Sequence, residues 1–130
     1  MIRGVSKVVI EVRDQERAKA FWMRVMGFEL VQDAPYGEER WLEVRAPEDG
    51  ASVVLDVGTD EAPRRAVPSE LPTSNVMFGC DDLRVTHEAL TARGVRFPQA
   101  PVRQPFGWWS MFEDREGNRF ALEQTQEHPS

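Results

Sequence analysis

The sequence predicts an α+β fold made of two similar halves, each a strand, a helix and three further strands. Three observations carry this. The segment Val8 to Leu30, VVIEVRDQERAKAFWMRVMGFEL, is echoed by Val76 to Phe97, VMFGCDDLRVTHEALTARGVRF. Period-2 apolar runs bounded by turn residues follow each of them. A Pro-rich polar stretch separates the two copies. Repeats of this kind fix an architecture more firmly than any local propensity does.

Each element has a local reason. The first strand of each half alternates apolar and other residues, through Val8, Ile10 and Val12 and again through Val76 and Phe78. Asp14 and Asp82 follow as helix N-caps, because a short carboxylate can accept the unpaired N–H groups of a first turn. In the helices, Ala18, Phe21, Trp22 and Val25, and Val85, Ala89 and Leu90, recur at three- and four-residue spacing and form apolar stripes. Gly27 and Gly94 then end the helices. Further strands are expected at Phe28 to Gln32, Arg40 to Arg45 and Ser52 to Val57, with turns at 34–37 and 47–50. In the second half they are expected at Arg96 to Pro98, Trp108 to Phe112 and Arg119 to Gln124, with a turn at Asp114 to Asn118. The whole chain, 1–130, is read as one domain: module 1 about 5–58, a linker about 59–73, and module 2 about 74–125. Each sheet would have one face covered by its own helix. The two together should give a curved mixed sheet with a concave groove for a small ligand.

Composition narrows the function. The net charge of −6 speaks against a nucleic-acid surface, and Arg64–Arg65, the one adjacent basic pair, falls in the linker. No run approaches the ~18 apolar residues of a membrane span, and the opening residues do not resemble a secretory signal, so a cytoplasmic protein is expected. The single cysteine, Cys80, is expected to pack in the core. His87 is expected at the surface and His128 in a frayed tail. No Ser or Cys has an identifiable base beside it, so no nucleophile is assigned.

The combination of Val12–Arg13–Asp14, Ala18, Phe21, Trp22 and Gly27–Phe28–Glu29 resembles the start of a vicinal oxygen chelate module. That superfamily holds glyoxalases, ring-cleaving dioxygenases and bleomycin-resistance proteins. Cys80–Leu83, Ala92–Val95 and the turn Glu113–Phe120 are similar to the second module, with Arg115 where the family usually has Pro. The resemblance implies the βαβββ fold, a homodimer, and in metal-dependent members a His or Gln opening each first strand with a carboxylate on each last strand. Counting back seven residues from Asp14 and Asp82 gives Lys7 and Asn75; counting four on from Gly50 and Gly117 gives Val54 and Ala121. An ammonium, an amide and two aliphatic side chains are a poor ligand set, so no metal and no cofactor are expected.

Strand alternation places Lys7, Glu11, Trp41, Glu43, Asn75, Met77, Trp109, Met111 and Glu123 on the concave face. Trp41 and Trp109, with Phe106 and Trp108 read as loop residues, offer stacking surfaces. Met77 and Met111 offer adaptable packing. Arg103 could orient a carboxylate. Glu11, Glu43, Asp56 and Glu123 would make the face acidic and suit a cationic ligand, although Lys7, Arg45 and Arg119 on the same face could neutralise them. Glu11 and Glu43 are the candidate general bases, on the expectation that burial raises their pKa towards neutrality. The expected function is therefore metal-independent binding of a small aromatic or cationic compound, such as an antibiotic. A divergent glyoxalase-like lyase, an isomerase or a dioxygenase is the alternative, and turnover stays open at this point.

Overall fold

The structure is a computed structural model that describes residues 1–48, 50–58 and 72–125. The chain divides into two compact units, Met1–Arg64 and Arg65–Ser130. Most of the expected linker, with Arg64, Arg65 and His128, lies outside the described residues.

The first unit contains β1 (Lys7–Val12), α1 (Gln15–Ala20), β2 (Glu29–Tyr36), β3 (Glu39–Arg45) and β4 (Ser52–Val57), with sheet order β1-β4-β3-β2. β1 runs parallel to β4, and the other pairings are antiparallel. Asp14 caps α1 by accepting from Arg17 N at 3.1 Å. The helix then widens into a π-helical segment, Phe21–Val25, closed by a bond from Met26 N to Phe21 O at 3.0 Å. Phe21 and Trp22 are both fully buried there, edge to face with ring centroids 5.5 Å apart. They pack with Ile10, Val12, Leu42, Val44, Val53 and Leu55, the alternate residues of β1, β3 and β4, to form this unit's core. Gln15 ties the helix to the sheet: its Nε2 donates to Arg40 O at 3.1 Å and to Leu55 O at 2.9 Å, giving both carbonyls a partner beyond the β3–β4 register pairs.

A charge cluster adds a second tie. Asp33 accepts from Arg40 Nε at 2.8 Å, Arg40 Nη2 at 2.7 Å and Lys19 Nζ at 2.9 Å, while Arg40 Nη1 reaches Glu16 at 2.6 Å. Hydrogen bonds from Arg40, then from Lys19, hold the Asp33 carboxyl well below the usual range.

The second unit contains β5 (Met77–Gly79), α2 (Leu83–Ala92), β6 (Arg96–Gln104), β7 (Gly107–Glu113) and β8 (Arg119–Thr125), in the equivalent order β5-β8-β7-β6. Asp82 caps α2 through Val85 N at 3.2 Å, as Asp14 caps α1. Gly27 and Gly94, the paired helix ends, both adopt positive φ, at 80° and 90°. The core is a cluster of Phe78, Phe97, Phe112 and Phe120, with neighbouring ring centroids 5.3 to 6.3 Å apart. In the 114–118 turn, the Asp114 carboxylate accepts from Glu116 N, Asn118 N and Asn118 Nδ2 at 2.8 to 2.9 Å. Together the units make an α+β fold of two four-stranded mixed sheets, each backed by a helix.

Several expectations need correction. β2 continues through Ala34, Pro35 and Tyr36, and the hairpin turns at Gly37–Glu38 with Tyr36 facing Glu39. Pro35 is tolerated because β2 is an edge strand. The same reason lets β6 run to Gln104 through Pro98 and Pro101, with two register shifts along the way. The α2 stripe is also rotated from its expected phase. Leu83 and Leu90 are buried, whereas Val85 is 61% exposed and Ala89 is exposed. His87 is half-buried, its ring 4.6 Å from that of Phe97. Cys80 follows β5 and is half-buried, its Sγ 3.6 Å from Glu123 O.

Candidate functional site

Each sheet presents one face away from its helix. In the first unit the parallel register pairs Lys7 with Ser52, Val9 with Val54 and Glu11 with Asp56 on that face. Glu43 of β3 lies opposite Val54. On β2, Gln32 and Ala34 face Glu43 and Trp41, the shift after Leu30 having restored the phase.

Three of the expected site residues form one cluster here. Glu43 is 3% exposed. Its Oε2 accepts from Lys7 Nζ at 3.2 Å and its Oε1 from Trp41 Nε1 at 3.0 Å, with Ser52 as a further donor. Burial alone would raise the pKa of this carboxyl, but the hydrogen bonds from Trp41, Ser52 and Lys7 outweigh it and hold the value below the ordinary one. Glu43 is therefore a charged, saturated acceptor near neutral pH, which corrects its expected role as a base raised by burial. Its charge is also balanced by Lys7, which makes the face less acidic than its residue types suggested. Glu11 is exposed at the other end of β1, with its carboxyl where a Cβ at Gly58 would stand.

Tyr36, which the expected turn at 34–37 leaves out of the strand, joins this cluster. Its ring centroid is 6.0 Å from that of Trp41. The signal was present: a two-residue turn at Gly37–Glu38 would have continued the strand's alternation to Tyr36.

In the second unit, β7 and β8 pair Trp109 with Glu123 and Met111 with Ala121, and β5 adds Met77 opposite Ala121. Trp109 and Glu123 are half-buried and Met77 is 57% exposed. Met111 is only 2% exposed, so it is packing and not a contact surface. Asn75 is exposed just before β5, and Phe106, 54% exposed, sits in the β6–β7 turn. Trp108 and Arg103 depart from expectation. Trp108 belongs to β7, where it points to the helix side with the Arg84 guanidinium 4.8 Å above its ring. There it lines an open depression of about 500 Å³ with His87 and Pro101. Arg103 is its register partner on β6, on the same side.

The family's metal does not fit these residues. Lys7 is an ammonium held by Glu43, Val54 and Ala121 are buried aliphatics, and Asn75 alone could offer an oxygen. Among the described residues no three His, Cys, Asp or Glu side chains converge as a metal site. Also among the described residues, no helix is long and apolar enough to cross a membrane.

Comparison with known proteins agrees with this architecture. The YetH protein of Bacillus subtilis (strain 168), itself uncharacterised, is 35% identical over 126 residues, spanning 95% of this chain and 100% of its own. The structure of TnmS3, an antibiotic binding protein from Streptomyces sp. CB03234, superposes with a TM-score of 0.81 at 32% identity, covering 96% of this chain and 98% of that one. A superfamily member from Sphaerobacter thermophilus DSM 20745 matches with a TM-score of 0.81 at 27% identity, covering 95% and 98%. With the family model matched over residues 4–122, this chain belongs to the Glyoxalase/Bleomycin resistance protein/Dioxygenase superfamily.

Proposed function

We propose that this protein is a metal-independent binding protein for an aromatic small molecule, in the manner of an antibiotic-sequestering member of its superfamily. The observation that carries the reading is the placement of Trp41 and Trp109 on the sheet faces opposite the helices, within a fold that matches an antibiotic binding protein over nearly its whole length. An indole on a strand offers a flat apolar surface with few rotatable bonds, so little entropy is lost when a planar ligand stacks on it. The donor chemistry at positions 7, 54, 75 and 121 supports binding without a metal. A homodimer in the cytoplasm belongs to the same proposal, and sedimentation velocity of the purified chain tests the dimer.

The test is equilibrium binding of a planar fluorescent probe, an anthracene bearing one polar group, followed by anisotropy. Saturable binding without chemical change of the probe is expected. Trp41→Ala should weaken binding at the first unit's face and Trp109→Ala binding at the second's, each by ~1–3 kcal/mol. Unchanged affinity in both variants would remove the indoles from the site, and conversion of the probe would favour an enzyme.

A further inference from the structure

Glu43 is buried, yet the groups that hold it reach outward. The Lys7 side chain keeps 45% exposure against 4% for the Glu43 side chain. An ammonium carries three donors. One is used on Glu43, and among the described residues the other two meet no acceptor. The Trp41 indole has only one donor and gives it to the other oxygen of the same carboxylate, so what it still offers is the faces of its ring. Tyr36 extends that aromatic surface. One buried carboxylate thus sets a cation and an aromatic plate side by side, with neither needing to be ordered when a ligand arrives.

We propose that Lys7 and Trp41 together select planar aromatic ligands that bear an anionic oxygen, a carboxylate or phenolate, with Glu43 as the positioning residue that holds the pair. This rests on the aromatic-binding reading above and specifies its ligand. Around Lys7 itself the remaining acids of the face stand off, and Glu39, on Trp41's phase of β3 and paired with Tyr36, lies at the end of the aromatic plate away from Lys7. Glu11 and Asp56 are four residues further along β1 and β4 than Lys7 and Ser52, roughly 13 Å at strand rise, and Glu29 faces Arg45 across β2–β3. A ring stacked on Trp41 with its oxygen towards Lys7 gains a charge-assisted hydrogen bond, whereas an ammonium placed there would meet a like charge.

The experiment compares anthracene-2-carboxylate with anthracen-2-ylmethylammonium, two probes of one shape and opposite charge, by fluorescence anisotropy on the full chain. The carboxylate should bind about tenfold more tightly. Lys7→Met should abolish the difference and Lys7→Arg should retain it, with thermal melts confirming that both variants fold. Within the wild-type protein, where no variant has to fold, added salt should erode the carboxylate's advantage. For the positioning role, Glu43→Gln keeps an acceptor for the Trp41 indole but turns an NH2 towards Lys7, so it should leave the ammonium probe nearly unchanged while narrowing the carboxylate's advantage, whereas Glu43→Leu should weaken both probes. Equal affinities, a preference for the ammonium, or a carboxylate preference that survives Lys7→Met would overturn the proposal and leave aromatic binding standing. Failure of both probes to bind would overturn the aromatic-binding reading, and this proposal with it.

Discussion

Replacing Glu43 by Gln should cost this protein about 2 kcal/mol of stability near neutral pH. The side chain is 3% exposed and accepts from Trp41, Ser52 and Lys7. Hydrogen bonds to a charged acceptor contribute roughly 1.5–3 kcal/mol each, and an ion pair to a half-exposed lysine about 0–1 kcal/mol. Gln keeps one oxygen for one of the two neutral donors but turns an NH2 towards the rest, so about one charge-assisted bond is lost outright. The pH dependence has a definite sign. Because the folded pKa lies below the ordinary value near 4.5, the stabilisation from ionised Glu43 is fully present above that value and is lost as pH falls through the folded pKa. Urea denaturation of both proteins along a pH series should give a gap that is widest near neutrality and closes in acid. A constant gap, or no gap near neutrality, would refute the reasoning.

Other consequences are as direct. Asp82→Ala should destabilise by about 1 kcal/mol through loss of the α2 cap, with Asp82→Ser recovering most of it in thermal denaturation. Gly94→Ala should cost about 1–2 kcal/mol, because φ is 90° although nothing crowds the missing Cβ; a neutral result would mean that the α2 end is not held in that conformation. The Asp33 carboxyl, followed by NMR, should titrate well below the usual carboxylate range, and Arg40→Gln should bring it back towards that range; an ordinary value in the parent protein would break the cluster. Phe120→Ala, at a fully buried ring in the four-phenylalanine cluster, should cost roughly 3–5 kcal/mol by denaturant titration.

What the sequence revealed follows the strength of each physical signal. The Asp caps, the glycine helix ends and the alternating cores of β1, β3, β4, β7 and β8 were legible because each expresses a local constraint repeated in both halves. The edge strands were not, since Pro35, Pro98 and Pro101 mark turns in most contexts and only pairing on one side makes them acceptable. The phase of α2 is not legible from residue type, because Val85 and Ala89 are apolar yet exposed, while Leu83, directly after the cap, decides which side meets the sheet. At the site, alternation placed Lys7, Trp41 and Glu43 on one face but could not show that the first two share the third's carboxylate. That arrangement depends on side-chain reach across β1, β4 and β3. It turns Glu43 from a candidate base into a fixed anion, and Trp108, as a strand residue next to Trp109, alternates to the helix side instead of joining the concave face as a loop residue.

The measurement closest to the central claim is probe binding by protein stripped of metal. The chain would be treated with a chelator, freed of metal as verified by elemental analysis, and titrated with anthracene-2-carboxylate before and after addition of manganese, iron, nickel or zinc. The expected result is saturable binding that is the same in every case. Binding that vanishes in the stripped protein and returns with one of the metals would contradict it and place a metal at the heart of the site.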